Sequence, residues 1–353
     1  MLILAIDPGS TSTKIGVLNN GELVHRGVDH DRGVIGTFKE ICDQEEMRFA
    51  CIRDLLSDMG FGEVTFDAVV GRGGLINPVS GGVYTVCDTL LGDLRSGVSG
   101  SHASNLGGIL ARRFAGEMGC SAFIADPVVV DELCDEARLS GLAGIERKSI
   151  FHALNQKAVA RRVAEEMGRT YNDVNLIVAH MGGGITVGAH KKGEVVDVNN
   201  GLNGDGPFAP ERSGSLPVDG MIEAVSRGDY TLESLGRTVS RAGGIFSYLG
   251  IVDLREVEAR IAEGDEVADL VWRGMVYQVV KEIGGLAATL GGNVDAIVLT
   301  GGMSHSKKLT AAIAEKVGFI SGVTVVPGEF ELEALTDGAL RVLEGQEKAR
   351  AYA

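Results

Sequence analysis

The chain has 353 residues, of which 51 are glycine and only 7 are proline, and 44% are apolar. Glycine is about twice as frequent as its usual share of about 7%, but the low proline content excludes a collagen-like or linker protein. The formal net charge of −15 argues against a nucleic-acid-binding protein, because an acidic chain repels the phosphate backbone.

Five cysteines, at positions 42, 51, 87, 120 and 134, form no CxxC pair. This odd number of thiols indicates a reducing compartment, so a cytoplasmic location is predicted. The first residues have no basic region and reach Asp7 after a short apolar run, which argues against a signal peptide. No run of about 18 apolar residues suggests a membrane span.

The first predicted elements are three short strands. Leu2 to Ile6 and Ile15 to Leu18 are apolar runs separated by a polar glycine turn at residues 7–14. Asn20-Gly21 is a strong hairpin signal and precedes a third strand at Glu22 to Val24. The chain therefore opens as strand, glycine turn, strand, hairpin, strand.

The same pattern returns in the second half of the chain. Predicted strands at 176–179, 185–189 and 195–198 are separated by turns at 180–184 and 191–193. Asp7 and His180 lie 173 residues apart, about half the chain. The repetition indicates a duplicated domain, although a glycine turn between two strands is also common by chance.

Helical periodicity fills the intervals between the strands. Apolar residues recur at helical spacing at 106–118 after Ser104, at 154–167 before Gly168, after an acidic capping box at Asp253 and Glu256, and at 267–290 before Gly291. The last and longest of these helices is predicted to lie in a core or at an interface. A strand at 294–299 follows, and the alternation predicts an α/β chain.

Three glycine turns directly follow apolar strands, at 7–14, 180–184 and 300–302. Glycine lets the backbone approach a ligand closely, and free N–H groups in such turns bind anions. A P-loop is absent because Glu194 stands where its lysine is required, and no tight metal-binding motif is evident. The three turns together predict a clamp for nucleotide phosphates.

Longer stretches of the chain resemble the acetate and butyrate kinase family, and most closely its butyrate kinase branch. Besides the three turns, they are residues 102–107 (HASNLG), 126–133 (DPVVVDEL), 151–156 (FHALNQ), 206–214 (GPFAPERSG) and 327–331 (PGEFE). They occur in order from the first strand to the last helix, so the resemblance covers nearly the whole chain.

The resemblance implies a duplicated two-domain α/β fold of the actin-like (ribonuclease H-like) type, with a nucleotide cleft between the domains. The implied domains are residues 1–149 plus 333–353 and residues 150–332. It also implies a homodimer or higher homo-oligomer whose partners are otherwise small molecules, without nucleic acid or membrane.

The implied reaction is ATP-dependent phosphorylation of butyrate or a branched relative to the acyl phosphate, reversible with ADP. Acetate or propionate kinase activity is the alternative. A sugar kinase or a non-catalytic ATPase of the same superfamily is a more distant one.

Four residues match the family's catalytic positions. Arg72 would bind the carboxylate, Arg212 and His152 would contact the transferring phosphoryl group, and Asp126 would lie near the metal. Three of them have a structural alternative: Arg72 is then a surface residue after a strand, His152 a structural histidine and Asp126 a turn residue before Pro127. His102 would line the substrate site or merely cap the helix that follows.

Nucleotide and metal positions follow from the same resemblance. ATP would contact the residues of the three turns: Asp7, Gly9, Ser10, Thr11, Ser12, Lys14, His180, Gly182, Gly183, Gly184, Gly301 and Gly302. Glu331 is the best match for a glutamate associated with Mg²⁺, with Glu329 and Glu333 as alternatives in the register, and Asp7 is a second metal candidate. Acidic residues leading into a helix also commonly complement its dipole.

Two departures from the family pattern favour the butyrate branch. Acetate kinases carry Asn where this chain has Asp7, and a second histidine where it has Gln156. A carboxylate at position 7 would repel ATP phosphates unless it contacts the metal or a hydrogen-bond donor.

Overall fold

The computed structural model describes all residues from 1 to 353. The chain divides into two compact units, of which unit 1 comprises Met1–Val130 and Phe330–Ala353, and unit 2 comprises Asp131–Glu329. The domain boundaries at 149/150 and 332/333 stay a prediction.

Unit 1 is built on a six-stranded sheet. Its strands are β1 (Leu2–Pro8), β2 (Ser12–Asn19), β3 (Glu22–Asp29), β4 (Ala68–Arg72), β5 (Val83–Thr85) and β6 (Ser121–Ala125), in the order β3-β2-β1-β4-β6-β5. Its helices are α1 (Arg32–Ile35), α2 (Glu45–Asp58), α3 (Asp88–Ser96), α4 (Asn105–Met118) and α13 (Glu331–Leu343). Strands β1, β4 and β6 run parallel.

Unit 2 is built on a five-stranded sheet. Its strands are β7 (Asn175–Met181), β8 (Ile185–Lys191), β9 (Glu194–Val198), β10 (Ala296–Gly301) and β11 (Val323–Pro327), in the order β11-β10-β7-β8-β9. Its helices are α5 (Asp135–Arg138), α6 (Ala153–Glu166), α7 (Val218–Ser226), α8 (Leu232–Arg241), α9 (Gly244–Leu249), α10 (Leu254–Ala262), α11 (Glu266–Thr289) and α12 (Lys307–Val317).

The two sheets repeat one topology. The order β3-β2-β1-β4-β6 in unit 1 corresponds to β9-β8-β7-β10-β11 in unit 2, and in both the first strand pairs antiparallel with the second and parallel with the fourth. The hairpins turn at Asn20-Gly21 and Lys192-Gly193, where all four residues have positive φ. Such turns match the twist of the flanking strands. The predicted duplication and the α/β class are confirmed.

Each unit has its own apolar core. In unit 1, β1 and β4 bury Ile6 and Val69 together with Phe114 of α4. In unit 2, α11 buries Trp272 and Met275 against the sheet. One side of α11 is therefore core, as its apolar periodicity predicts. None of the helices combines the length and apolar character needed to cross a membrane.

Strand and helix ends differ from the sequence prediction where tertiary pairing extends or replaces a local signal. β1 continues to Pro8, because Asp7 and Pro8 pair with Lys14 and Thr13 beyond the apolar run. Ser104 precedes α4 as predicted, but its side chain makes no cap hydrogen bond. At α10 the side chain of Asp253 accepts from the Arg255 N–H, one residue before the amide that a capping box uses.

Candidate functional site

Three predicted side chains of unit 1 lie at one edge of its sheet. In α/β sheets, ligands bind beyond the carboxyl ends of parallel strands. Asp7 lies near the end of β1 and Arg72 ends β4, and the register places Ile6 opposite Gly71 and Arg72 opposite Ala125. Asp126 follows β6 directly. The topology therefore brings Asp7, Arg72 and Asp126 to adjacent strand ends.

Arg72 and Asp7 form an ion pair. Arg72 Nη1 lies 3.0 Å from Asp7 Oδ1, with the arginine side chain 33% exposed and the aspartate 6% exposed. The carboxylate at position 7 thus contacts a hydrogen-bond donor, which is one of the two conditions under which the sequence permits it near phosphate. The pair orients a partly accessible guanidinium, whose planar fork suits a carboxylate ligand.

Asp126 has an unusual backbone conformation, with φ of +35°, that few non-glycine residues adopt. Its Oδ1 accepts a 2.7 Å hydrogen bond from Gly82 N, and its own N–H donates to the Gly82 carbonyl at 2.9 Å. The C-terminal segment holds the neighbouring residues, since Val83 N donates to Glu347 Oε1 and Thr85 N to the Arg350 carbonyl. No sequence motif pointed to this support.

His102 lies exposed before α4. Its Nδ1 accepts from Ser104 N at 3.2 Å and lies 2.9 Å from Ser104 Oγ. These contacts hold the His102 ring against the residue that precedes α4, and the choice between a substrate-site and a capping role stays a prediction.

The turn between β1 and β2 rests on a buried arginine. Arg48 of α2 has no exposed surface, and its Nη1 donates to the Ser12 carbonyl at 2.7 Å and to Thr13 Oγ1 at 3.0 Å. Gln44 Oε1 accepts from both Arg48 Nε and Nη2. Burial lowers the Arg48 pKa, but a guanidinium keeps its charge in proteins. Above it Ser10, Thr11 and Lys14 are exposed, and Gly9 N closes the turn on the Ser12 carbonyl at 2.9 Å.

Unit 2 places its predicted residues at the corresponding sheet edge. Thr300 at the end of β10 lies opposite His180 of β7, and Gly301 lies opposite Pro327 of β11. A cavity of about 810 Å³ opens beside these strand ends. This volume falls within the range of about 300–1,000 Å³ typical of small-molecule sites.

Some of the residues that line the cavity are predicted site residues and others are not. Gly182, Gly183 and Gly302 of the glycine turns line it, together with Glu211, Arg255, Glu258, His305, Ser306, Lys307, Lys308 and Glu329. Gly184, His180 and Gly301 are not among its lining residues. No sequence motif marks Lys307 and Lys308. Their position shortly after the 300–302 turn could have indicated that they lie near the same site.

Helix α12 begins at this cavity. Ser306 caps it by accepting from Leu309 N at 3.0 Å, and the Ser306 hydroxyl donates to Glu258 Oε1 at 2.6 Å. Lys308 Nζ lies 4.8 Å from the centroid of the Trp272 ring. A capped helix N-terminus with two lysines provides positive charge and backbone N–H groups for an anionic ligand.

Arg212 packs directly against the 180–184 turn. A Cβ added to Gly184 would collide with the Arg212 guanidinium, so any larger residue at position 184 would displace the arginine side chain from this place. Arg212 Nη1 donates to the Gly201 carbonyl. Burial lowers the Arg212 pKa while the Glu211 carboxylate opposes that shift, and the side chain stays a cation. The predicted glycine and the predicted arginine thus form one structural unit.

His152 and His180 stack on each other. Their ring centroids lie 3.9 Å apart with planes 10° from parallel. His152 occupies the residue before α6, and its Nδ1 lies 2.8 Å from Thr186 Oγ1. His180 Nδ1 lies 2.8 Å from Asn155 Oδ1. Both histidines, predicted from separate motifs, therefore meet in unit 2.

The three glutamates near the C-terminus belong to different units. Glu329 lines the cavity of unit 2, whereas Glu331 and Glu333 lie in the first turn of α13 in unit 1. No group of three or more His, Cys, Asp or Glu side chains is arranged to hold a metal ion. The choice of register between Glu329 and Glu331 stays a prediction.

Comparison with known proteins places the fold. The structure is similar to the acetate kinase of Porphyromonas gingivalis, with 20% identity, a TM-score of 0.76 and coverage of 96% of this chain and 99% of that one. A propionate kinase from Francisella tularensis matches at 17% identity and a TM-score of 0.73, over 95% of this chain and 98% of that one. A hexokinase from Thermus thermophilus matches at 15% identity and a TM-score of 0.51, over 98% of this chain and 100% of that one. The two-domain α/β fold of acetate kinases and related sugar kinases is thereby confirmed.

A family model matches more than half of the sequence. It is described as the acetokinase family and covers residues 140–329, which span the histidine pair, the 180–184 turn, Arg212 and the cavity. The chain therefore belongs to the acetokinase family.

Proposed function

We propose that this protein is a short-chain fatty acid kinase that transfers the γ-phosphoryl group of ATP to butyrate or a branched relative. The products are the acyl phosphate and ADP, and the reaction is reversible. Membership of the acetokinase family supports a kinase that acts on a carboxyl group. The observation that carries the proposal is Arg72 at the carboxyl end of β4, a partly exposed guanidinium oriented by Asp7.

The nucleotide is assigned to the glycine turns. ATP phosphates would meet the backbone N–H groups at 182–184 and the hydroxyl donors Ser10, Thr11 and Ser12, because such groups satisfy phosphate oxygens without a P-loop. Lys307 and Lys308 in the 810 Å³ cavity add positive charge, which supports the assignment of that cavity to the nucleotide.

The chemistry needs positioning and charge stabilisation more than proton transfer. A carboxylate is already ionised at neutral pH, so it attacks phosphorus without a general base. Arg72 would hold this nucleophile in line, and Arg212 with His152 would donate to the equatorial phosphoryl oxygens, where charge develops. Asp126 would lie near the metal that accompanies the phosphates.

Magnesium is the proposed cofactor, and the donor chemistry fits it. Mg²⁺ is usually held by one or two carboxylates together with substrate phosphates and water. Asp7 and Glu331 supply carboxylates, and Glu329 is the alternative that lines the cavity. Bound Mg²⁺ would neutralise phosphate charge. The variants Glu331→Gln and Glu329→Gln distinguish the two candidates. Only the substitution that removes a true ligand should raise the Mg²⁺ concentration needed for half-maximal activity. If neither variant changes it, both assignments fail.

Preference for butyrate over acetate is supported by two residues. Asp7 and Gln156 stand where acetate kinases carry Asn and His, and Gln156 is fully buried beside His190 and Thr186. Acetate or propionate kinase activity is the alternative function.

An acid series in a hydroxylamine-trapping assay with ATP and Mg²⁺ tests the proposal. The expected result is a maximal kcat/KM at butyrate or isobutyrate, with acetate lower. A maximum at acetate or propionate would favour the alternative, and no turnover with acids from acetate to branched five-carbon acids would refute carboxylate kinase activity. Arg72→Ala should raise KM for the acid, and Arg72→Lys, which keeps the charge but not the fork, should only partly restore it.

The same proposal includes assembly and location. We propose a homodimer or larger homo-oligomer in the cytoplasm, partly because all five cysteines are free. The sugar kinase alternative is tested by replacing butyrate with glucose, and the non-catalytic alternative by the acid series itself.

A further inference from the structure

A chain of side chains buried in unit 2 leads from His152 to Tyr171. Successive contacts are His152 Nδ1 to Thr186 Oγ1 at 2.8 Å, Thr186 Oγ1 to Gln156 Nε2 at 2.8 Å, Gln156 Oε1 to His190 Nε2 at 3.0 Å, and His190 Nδ1 to Tyr171 OH at 2.7 Å. Thr186, Gln156 and His190 have no exposed surface. Bulk solvent therefore does not reach these three side chains, and the hydrogen-bond partners that each of them has within the chain constrain where its protons lie.

The orientation of the Gln156 amide is determined by a backbone group. Its Nε2 lies 3.0 Å from the Thr186 carbonyl oxygen, which can only accept, so this end of the amide must be the NH₂ group. The other end is then oxygen and accepts from His190 Nε2–H. His190 is neutral, because burial, Lys157 and Arg161 lower its pKa well below the usual value. Its bare Nδ1 accepts from the Tyr171 hydroxyl.

The Thr186 hydroxyl receives one hydrogen bond and gives another. Because Gln156 Nε2 donates to Thr186 Oγ1, the hydroxyl proton is free to point at His152 Nδ1. If His152 carried a proton on Nδ1 instead, the Thr186 proton would be left buried without an acceptor, which is unfavourable. The chain therefore favours a bare Nδ1 on His152.

We propose that Thr186 and Gln156 are positioning residues that hold His152 in the neutral tautomer with its proton on Nε2. The proposal rests on the proposed function in one respect, because the group to which the neutral His152 would donate is the transferring phosphoryl group. Asn155 gives no comparable constraint on His180, since no backbone carbonyl determines which end of its amide faces the ring.

Histidine tautomers are read directly by ¹⁵N NMR, in which each ring nitrogen reports whether it carries a proton. The chain has only seven histidines, so His152→Asn identifies the His152 signals. The wild-type protein is expected to show a protonated Nε2 and a bare Nδ1 at His152. A bare Nε2 in the wild-type protein would overturn the proposal.

Variants of the two positioning residues complete the test. Thr186→Val removes the donor to Nδ1 with little change in volume, and should populate the second tautomer and lower kcat about 10-fold or more, with KM for ATP and acid within about twofold. Thr186→Ser keeps the hydroxyl and should restore both the NMR signature and kcat. Once its carboxyl is ionised, the side chain of Gln156→Glu cannot donate to Thr186, so at a pH where it is charged the hydroxyl should turn toward the carboxylate and the His152 proton should shift to Nδ1.

The outcomes separate this proposal from the proposed function. If Gln156→Glu does not fold, the matched Thr186 variants still decide. A Thr186→Val protein with unchanged ring signature and unchanged kcat would refute the positioning role. If the wild-type protein phosphorylates none of the acids, the proposed function fails, whereas the tautomer measured by NMR still supports or refutes the arrangement around His152.

Discussion

The buried guanidinium of Arg48 lies beneath the turn that joins β1 to β2. Its donors go to the Ser12 carbonyl, Thr13 Oγ1 and Gln44 Oε1, and no carboxylate pairs with it. A buried charge compensated only by dipoles is costly to keep, and it leaves positive potential directly under the proposed phosphate-binding hydroxyls. Hydrogen bonds from Arg48 therefore support the turn, whereas the sequence shows only that the turn is rich in hydroxyl residues.

Arg48→Met is expected to lower the free energy of unfolding by about 3 kcal/mol or more, because it leaves several buried acceptors without a hydrogen-bond donor. It should also raise KM for ATP more than KM for the acid, as the turn loses its support. Thermal unfolding and steady-state kinetics measure the two effects. Arg53→Met, at an exposed position of the same helix, is the control and should change neither. Equal behaviour of the two variants would contradict the role of Arg48.

At the scale of elements, α4 and β4 meet backbone to backbone. A Cβ on Gly107 would collide with the backbone of Arg72, and one on Gly71 with the Gly107 carbonyl. The close contact positions the strand end that carries Arg72. The HASNLG stretch carries part of the family resemblance, and its glycine allows the close packing of α4 on β4.

Gly107→Ala should therefore destabilise the protein by about 3 kcal/mol and raise KM for the carboxylate, since Arg72 has to shift. Gly116→Ala lies in the same helix, where a Cβ would meet open space, and should stabilise by up to about 1 kcal/mol through helix propensity. Chemical denaturation of both variants distinguishes them. Similar effects of the two substitutions would show that the helix–strand contact is looser than described.

Strand β8 presents Thr186, Gly188 and His190 on one face, all beside Gln156 of α6. The pKa of buried His190 lies well below 6.5, so its unfolded form binds a proton more readily than its folded form. By linkage, the stability that neutral His190 provides is fully present above pH 6.5 and is lost as pH falls toward the folded pKa.

The free energy of unfolding should consequently decline below pH 6.5, with up to about 1.4 kcal/mol per pH unit from this one group. Denaturation at several pH values between 5 and 7 measures the slope. His190→Gln should reduce the slope by that contribution. Tyr171→Phe removes a hydrogen bond but leaves His190 in place, so it should lower stability and keep the slope. An unchanged slope in His190→Gln would refute the buried neutral histidine.

At the scale of the molecule, α11 has two apolar sides. One packs in the core of unit 2, and the other exposes Val267, Leu270 and Tyr277, which are 57%, 60% and 67% accessible. The sequence left open whether this helix is core or interface, and the structure shows that its core side leaves a second stripe uncovered. This stripe is our candidate for the proposed contact between copies of the chain.

Light scattering should therefore give a mass of at least twice the 37.0 kDa of one chain. Leu270→Lys combined with Tyr277→Lys should shift the protein toward monomer without loss of secondary structure. Phe319→Lys, at a residue that is 86% exposed elsewhere in unit 2, is the control and should leave the mass unchanged. Persistence of the oligomer in the double variant would move the interface away from α11.

The sequence by itself determined the α/β class, the duplication, the acetokinase resemblance and most strand positions. These depend on local periodicity and on turn residues such as Asn20-Gly21, whose effects act over a few residues. Tertiary structure decided the partners: that Asp7 pairs with Arg72, that His152 stacks on His180, and that Arg48 lies under the turn between β1 and β2. Partners distant in the chain meet only through strand order and helix packing, and no local pattern records those distances. The same reason explains why Gln156 reads in sequence only as a departure from a family pattern, whereas in the fold it orders the hydrogen bonds around His152.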